Sequence, residues 1–235
     1  MIESDVRLEF VSSGGRRAIW ARSQFLVSAK DAPEIVEKLW EFASSAYLDN
    51  PMPSLFKERL FVYLSRFCQV RYCIIRHCGF LVGYGHSSGD ASVTAQTVNQ
   101  AIKLLKSPAP WRRPLEPVYE RLTTIKEPID WPEPDSDTED CLFATAAVVF
   151  VEPARSERAR DALRHALGGR RFEYLLALLA FIRAAHFWTM VHPGLEIEDD
   201  MRELMNEHKE LAALLLQDPD VAETTSLSPE LGVTP

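Results

Sequence analysis

The 235-residue chain has no Cys-x-x-Cys pair, although three of its four cysteines, Cys68, Cys73 and Cys78, crowd into one segment. Steps of five residues turn successive thiols by about 140° on a continuous helix, so these three cannot converge on one ion and no zinc site is expected. A stretch of roughly 18 to 20 apolar residues free of charge is also missing, which excludes a membrane span. The amino terminus, Met1-Ile2-Glu3-Ser4-Asp5, is acidic and lacks a basic stretch followed by an apolar core, so no secretory signal is expected. Clustered positive charge is scarce too: the net charge is −8, and Arg16-Arg17 and Arg112-Arg113 are short pairs. Neither nucleic acid nor an anionic membrane is therefore an expected partner. Few cysteines and no leader suit free thiols in a reducing cytoplasm.

What the chain does have is apolar material, 46% of its residues, enough for one substantial core. Its periodicity predicts an all-α protein. Residues 1–23 carry no stable period and read as an arm; 24–217 read as a helical domain; 218–235 are polar and proline-bearing and read as a mobile tail. The first helix is expected to be capped by Asp31 with Pro33 in its first turn and Ile35, Leu39, Trp40, Phe42 and Ala43 as its apolar stripe. A second, capped by Ser54, runs from Leu55 to about Phe67, with Phe56, Leu60, Val62, Tyr63 and Leu64 inward and Glu58 free to face water. The third covers Arg71 to Val82, the turn Gly85 to Asp90 follows, and a fourth lies near Ser92 to Leu105. Residues 107–135 hold seven of the fifteen prolines together with Trp111 and Trp131, a connector that two tryptophans should hold against the helical body. Further helices are expected at 139–151, 156–167, 171–191 and 198–216. The run from Leu175 to Ile182 is apolar on all sides, which marks a central or interface helix.

The chemistry concentrates in Val70-Arg71-Tyr72-Cys73-Ile74-Ile75-Arg76-His77. A thiol and an imidazole four residues apart share one helical face. A thiolate is the nucleophile, and an ordinary cysteine is only a few per cent ionised at neutral pH, so Cys73 needs help. The helix start, His77, and Glu58 as a proton acceptor could supply it, with Arg71 or Arg76 lowering the thiol pKa and Tyr72 walling a pocket. Read structurally, the same residues are a small buried hydrophobe, a hydrogen-bonded histidine and, within Lys57-Glu58-Arg59, a solvated helix charge. His86 lies in the turn after the motif and lines a pocket mouth or faces water. His186 and His192 are six residues apart, about 120° from sharing a face, so they read as structural rather than as metal ligands. The charges at 137–140 and 196–200 read as helix-start charge.

The order Glu58, twelve residues to Val70, then Tyr72-Cys73 and His77 resembles the AhpD-like alkylhydroperoxidase and carboxymuconolactone decarboxylase family, whose pattern is Glu followed by Cys-x-x-Cys-x-x-x-His. The segments Leu55 to Phe61 and Phe181 to Trp188 are similar to those of a subgroup found as an input module ahead of PAS sensor kinases. The resemblance spans about residues 24 to 217 and places Glu58, Cys73 and His77 on the family's glutamate, second cysteine and histidine. Val70 stands where the first cysteine would be, so the dithiol cycle of the family's peroxidases is not available through that pair. The resemblance implies an all-α AhpD-like fold, a homo-oligomer and no cofactor. It also implies a thiol-based hydroperoxide reductase in which Cys73, ionised through His77 and Glu58, becomes a sulfenic acid. Cys68, Cys78 or an external thiol reductant would then resolve it. Two further readings are a redox or ligand sensor, and an acid/base lyase like the decarboxylase branch, with His77 acting on a small carbon acid.

Overall fold

The computed structural model describes residues 31–84 and 96–217, and among these there is helix and no strand. The expected arm at 1–23, the turn Gly85 to Asp90 with His86, and the tail at 218–235 lie outside the described residues. Helix α1 (Pro33–Ala43) continues directly into a π-helical turn, Ser44–Leu48. Asp31 does not cap it: the N-cap position is Ala32, with no side-chain cap bond, and the proline supplies the entry geometry instead. Ile35 is 45% exposed and Val36 takes its place in the core.

Helix α2 (Ser54–Phe67) begins at Ser54 rather than being capped by it, because Pro53, extended at φ −55° and ψ 134°, already occupies the N-cap. Helix α3 (Arg71–Leu81) follows after a three-residue connection in which Gln69 takes a left-handed φ of 58° and folds the chain back on α2. The three motif cysteines therefore do not lie on one continuous helix: Cys68 caps α2, whereas Cys73 and Cys78 belong to α3.

Helix α4 (Val98–Leu105) starts at a capping box made by Thr97 and Gln100. The proline-rich connector contains a short helix, α5 (Glu116–Thr123), that its prolines hide, since Pro117 sits in the first turn where its missing N–H costs nothing. Trp131 packs on Phe56 with ring centroids 5.0 Å apart, and Trp111 packs on Phe67 at 5.0 Å.

Helix α6 (Asp137–Val151) is capped by Ser136. The long run α7 (Glu157–Val191) is broken at Gly168, whose φ of 73° and ψ of 161° are not helical. Its carboxyl part buries Phe172, Leu175, Leu178, Leu179, Phe181 and Ile182. By length and composition alone α7 is the one described helix that could cross a membrane, but these side chains are spent on the helical core. The single terminal helix expected over 198–216 is two, α8 (Asp199–Glu207) and α9 (Lys209–Leu216), divided at His208 with φ −123° and ψ 80°.

Helix α2 is the centre of this arrangement. It packs against α3, α4, α6 and α7, and every residue from Phe56 to Ser65 is buried. Lys57, Glu58 and Arg59 are 1%, 1% and 2% exposed, so the expected solvated charges are interior ones. Desolvating an ion costs several kcal/mol unless partners offset it, and each of the three has partners: Lys57 on the π-helical turn, Glu58 on that turn and α3, Arg59 on α6.

Candidate active site around Glu58 and His77

Successive residues on a helix point about 100° apart, so Lys57, Glu58 and Arg59 diverge into three surroundings. Arg59 turns towards α6, where its Nε and Nη2 donate to the two oxygens of Glu139 at 2.7 Å each. Nη1 reaches Gln96 at 3.0 Å and Nη2 also reaches Asp135 at 3.0 Å. Glu139 is thus not a plain helix-start charge; it is the buried counter-ion of Arg59.

Glu58 turns towards α3 and the π-helical turn. One oxygen accepts a hydrogen bond from the Tyr47 hydroxyl, and the other lies 2.6 Å from Nδ1 of His77. A carboxylate only accepts, so Nδ1 carries the proton and Nε2 is left as the basic nitrogen of the ring. Both rings are held by aromatics: His77 stacks on Phe61 with centroids 3.5 Å apart, and Tyr47 stacks on Phe181 at 5.2 Å. Tyr47 is fully buried and His77 nearly so. The sequence marks Glu58, Cys73 and His77 together as candidates, and the structure brings Glu58 and His77 together; nothing pointed to Tyr47, which sits in a turn without apolar period.

Cys73 lies on the same face of α3 one turn before His77, yet its sulfur meets α7. Sγ is 3.7 Å from Oγ1 of Thr189, whose own proton is directed to the carbonyls of Ala185 and His186 at 3.0 and 3.1 Å. The protonated thiol is therefore the donor, whereas a thiolate would accept from Thr189. It is 3% exposed, and burial pushes it up to about 12, the Thr189 contact opposing this and Cys68 adding to it. Burial thus works against the ionised Cys73 that the sequence suggested.

The expected tuning groups are likewise elsewhere. The Tyr72 hydroxyl donates to Glu198 at 2.6 Å, and the Arg76 guanidinium forks onto Asp200 and reaches the carbonyl of Tyr84, so both tie α3 to α8. Arg71 is exposed. Of the two possible resolving thiols, Cys68 is half-buried and pushed up to about 11 by burial, with Arg183 opposing, whereas Cys78 is sealed and burial pushes its thiol up further still.

A second imidazole reaches the relay helix. Nε2 of His186, on α7, is 2.7 Å from the Ser65 hydroxyl on α2, and Nδ1 is buried without a hydrogen-bond partner among the described residues. Burial pushes this histidine down to about 3, with His77 and Arg183 adding to the effect, so it stays neutral. His192 bonds the carbonyl of Trp188 within its own helix at 2.7 Å and takes no part. Among the described residues no group of three His, Cys, Asp or Glu side chains is placed to hold a metal ion.

No family model, curated protein or solved structure matches the chain. The chemistry must therefore be argued from the side chains themselves. They offer an imidazole bonded through Nδ1 to a buried carboxylate, a tyrosine hydroxyl on that carboxylate's other oxygen, and a buried thiol one turn earlier on the same helix.

Proposed function

We propose that the chain is an AhpD-like, cofactor-free module whose site performs acid/base chemistry on a small molecule. The observation that carries this reading is the Glu58 carboxylate held between the Tyr47 hydroxyl and Nδ1 of His77. That arrangement fixes the imidazole tautomer and leaves Nε2 to take a proton from a carbon acid, while Glu58 stabilises the imidazolium that forms. The proton returns to the product from the same nitrogen. Stacking of His77 on Phe61 keeps the ring from turning away. A cytoplasmic location and a homo-oligomer belong to the same proposal, the exposed Phe187, Met190 and Val191 at the end of α7 being its candidate subunit contact.

The i to i+4 placement of Cys73 before His77 favours a second reading, hydroperoxide reduction. Cys73 would lose its proton to His77 and attack the distal peroxide oxygen, breaking the O–O bond to give a sulfenic acid and, with that proton, an alcohol. Cys68 or an external thiol would then form a disulfide and release water. The buried, protonated state of the thiol weighs against rapid turnover by this route and suits a slower redox or ligand sensor.

The test separates them. Incubating the protein in heavy water with a panel of small β-keto acids and enol lactones should give deuterium incorporation or decarboxylation that Cys73→Ser retains and His77→Ala abolishes. Hydroperoxide consumption with a trapped sulfenic acid at Cys73, lost in Cys73→Ser, would replace the acid/base reading with the peroxidase one. Oxidation without turnover would favour the sensor.

A further inference from the structure

The third buried charge of α2 has a place in the same site. The Lys57 ammonium donates to the carbonyls of Tyr47, Leu48 and Asn50 at 2.6, 3.2 and 3.0 Å, three protons for three acceptors. These carbonyls belong to the end of the α1–π-turn segment, where a helix leaves its last acceptors unsatisfied and carries partial negative charge. Lys57 is 1% exposed, and Tyr47 and Asn50 are buried with it. The turn is tied down from the other side as well, because Asn50 donates to Ala46 and to the carbonyl of Tyr174 on α7, at 2.9 and 3.0 Å.

The same five-residue turn carries Tyr47, whose hydroxyl donates to Glu58, the residue next to Lys57. Adjacent residues of α2 thus hold Tyr47 by both ends, its backbone carbonyl through Lys57 and its phenol through Glu58. We propose that Lys57 is a positioning residue for the relay: it clamps the carbonyl end of the π-helical turn so that Tyr47 presents its hydroxyl to Glu58. π-Helical turns leave backbone groups that a simple α-helix would satisfy, and a fixed cation is a way to hold one register of such a turn. An apolar residue at 57 would leave two buried carbonyls and a half-buried one without their donor, and the turn would relax towards whatever register pairs them. A charged lysine in the interior is otherwise a poor choice, since burial pushes it down to about 8 against the pull of Glu58 and Asp49.

This inference rests on the Tyr47–Glu58–His77 relay proposed above, and it is read without substrate, so that the two can fail separately. A 2.6 Å bond from Nδ1–H to a carboxylate gives a far-downfield proton resonance. Lys57→Met should remove that signal or shift it upfield while far-ultraviolet helicity is kept. Tyr47→Phe should shift it in the same direction, and the double variant should add nothing further, because both act on one hydrogen bond. Leu122→Ala, a destabilising change on the remote α5, should leave it in place. A downfield signal unchanged in folded Lys57→Met, or additive shifts in the double variant, would overturn the proposal. Should Lys57→Met fail to fold, the coupling is read in reverse: Tyr47→Phe must shift the Lys57 titration from its midpoint near 8, and an unshifted midpoint overturns it equally. Loss of the signal in Lys57→Met together with failure of every carbon acid would keep the positioning role and remove the acid/base one.

Discussion

Glu58 and Arg59 are sequence neighbours, equally buried, and each meets its opposite number within hydrogen-bond distance, yet the two clusters end differently. Around Arg59 the partners close on one another: Glu139 takes both fork positions, Gln96 and Asp135 take others, and the backbone N–H of Asp135 also donates to Glu139 at 2.8 Å. Around Glu58 the chain of bonds stops at an imidazole with a nitrogen to spare. A saturated cluster only joins helices, here α2 to α6, whereas an unsaturated one stores a proton-transfer group at a cost in stability. The difference lies in the last acceptor, and it can be tested.

The largest effect should come from opening the closed cluster. Glu139→Ala leaves buried Arg59 with only Asp135 and Gln96 as partners and should destabilise the fold by about 3 kcal/mol in urea unfolding, while Arg59→Met with Glu139→Leu should recover most of that loss. A cost below about 1 kcal/mol for Glu139→Ala would mean that water reaches Arg59 and that the cluster is not closed.

Glu58→Gln tests the open one. An amide keeps the size and still accepts from Tyr47, but its NH₂ now faces Nδ1 of His77 and forces the proton onto Nε2. The base is lost with little change of shape, so turnover of whichever carbon acid proves to be the substrate should fall by roughly 10²–10⁴-fold, with the thermal midpoint nearly unmoved. Equal loss of stability and activity would make Glu58 a second Arg59.

These contrasts show where the sequence was readable. The i to i+4 spacing put Cys73 and His77 on one face of α3, the separate helices expected at 156–167 and 171–191 bracket the break at Gly168, and Glu58 was a candidate beside Cys73 and His77. Lys57-Glu58-Arg59 was not readable as an interior charge triplet, because its partners Tyr47, Asn50, His77 and Glu139 are separated from it by variable lengths of chain and follow no period. Tyr47 was hidden for the same reason, inside a π-helical turn whose register depends on Lys57. The division at His208 was hidden too, since the apolar positions Met201, Leu204, Leu211 and Leu215 continue across it.

His186 has one nitrogen satisfied by Ser65 and the other without a partner among the described residues. Its native value of about 3 lies below the ordinary 6.5, so the unfolded chain binds the proton first as pH falls. Stability is then fully present above about pH 6.5 and lost progressively down to about 3, each pH unit in that window contributing about 1.4 kcal/mol. Urea unfolding between pH 4 and 7 should show this slope in the wild type and a flatter one in His186→Gln. The same slope in both would assign the acid sensitivity to other groups.

The smallest effect concerns the thiol. Thr189 accepts from Cys73 and sends its own proton to the backbone, so it can stabilise a thiolate only by turning its hydroxyl away from Ala185 and His186. A single hydrogen bond of this kind is worth about 0.5–1.5 kcal/mol, or at most about one unit of pKa. In a variant keeping Cys73 as its sole cysteine, Thr189→Val should therefore slow alkylation of the thiol at fixed pH by at most about tenfold, and Thr189→Ser should restore it. If the valine variant reacts as the parent does, the hydroxyl belongs to the helix backbone alone. Apolar packing then seals the sulfur, and Cys73 joins Arg59 among the closed groups, while Nε2 of His77 stays open among the described residues.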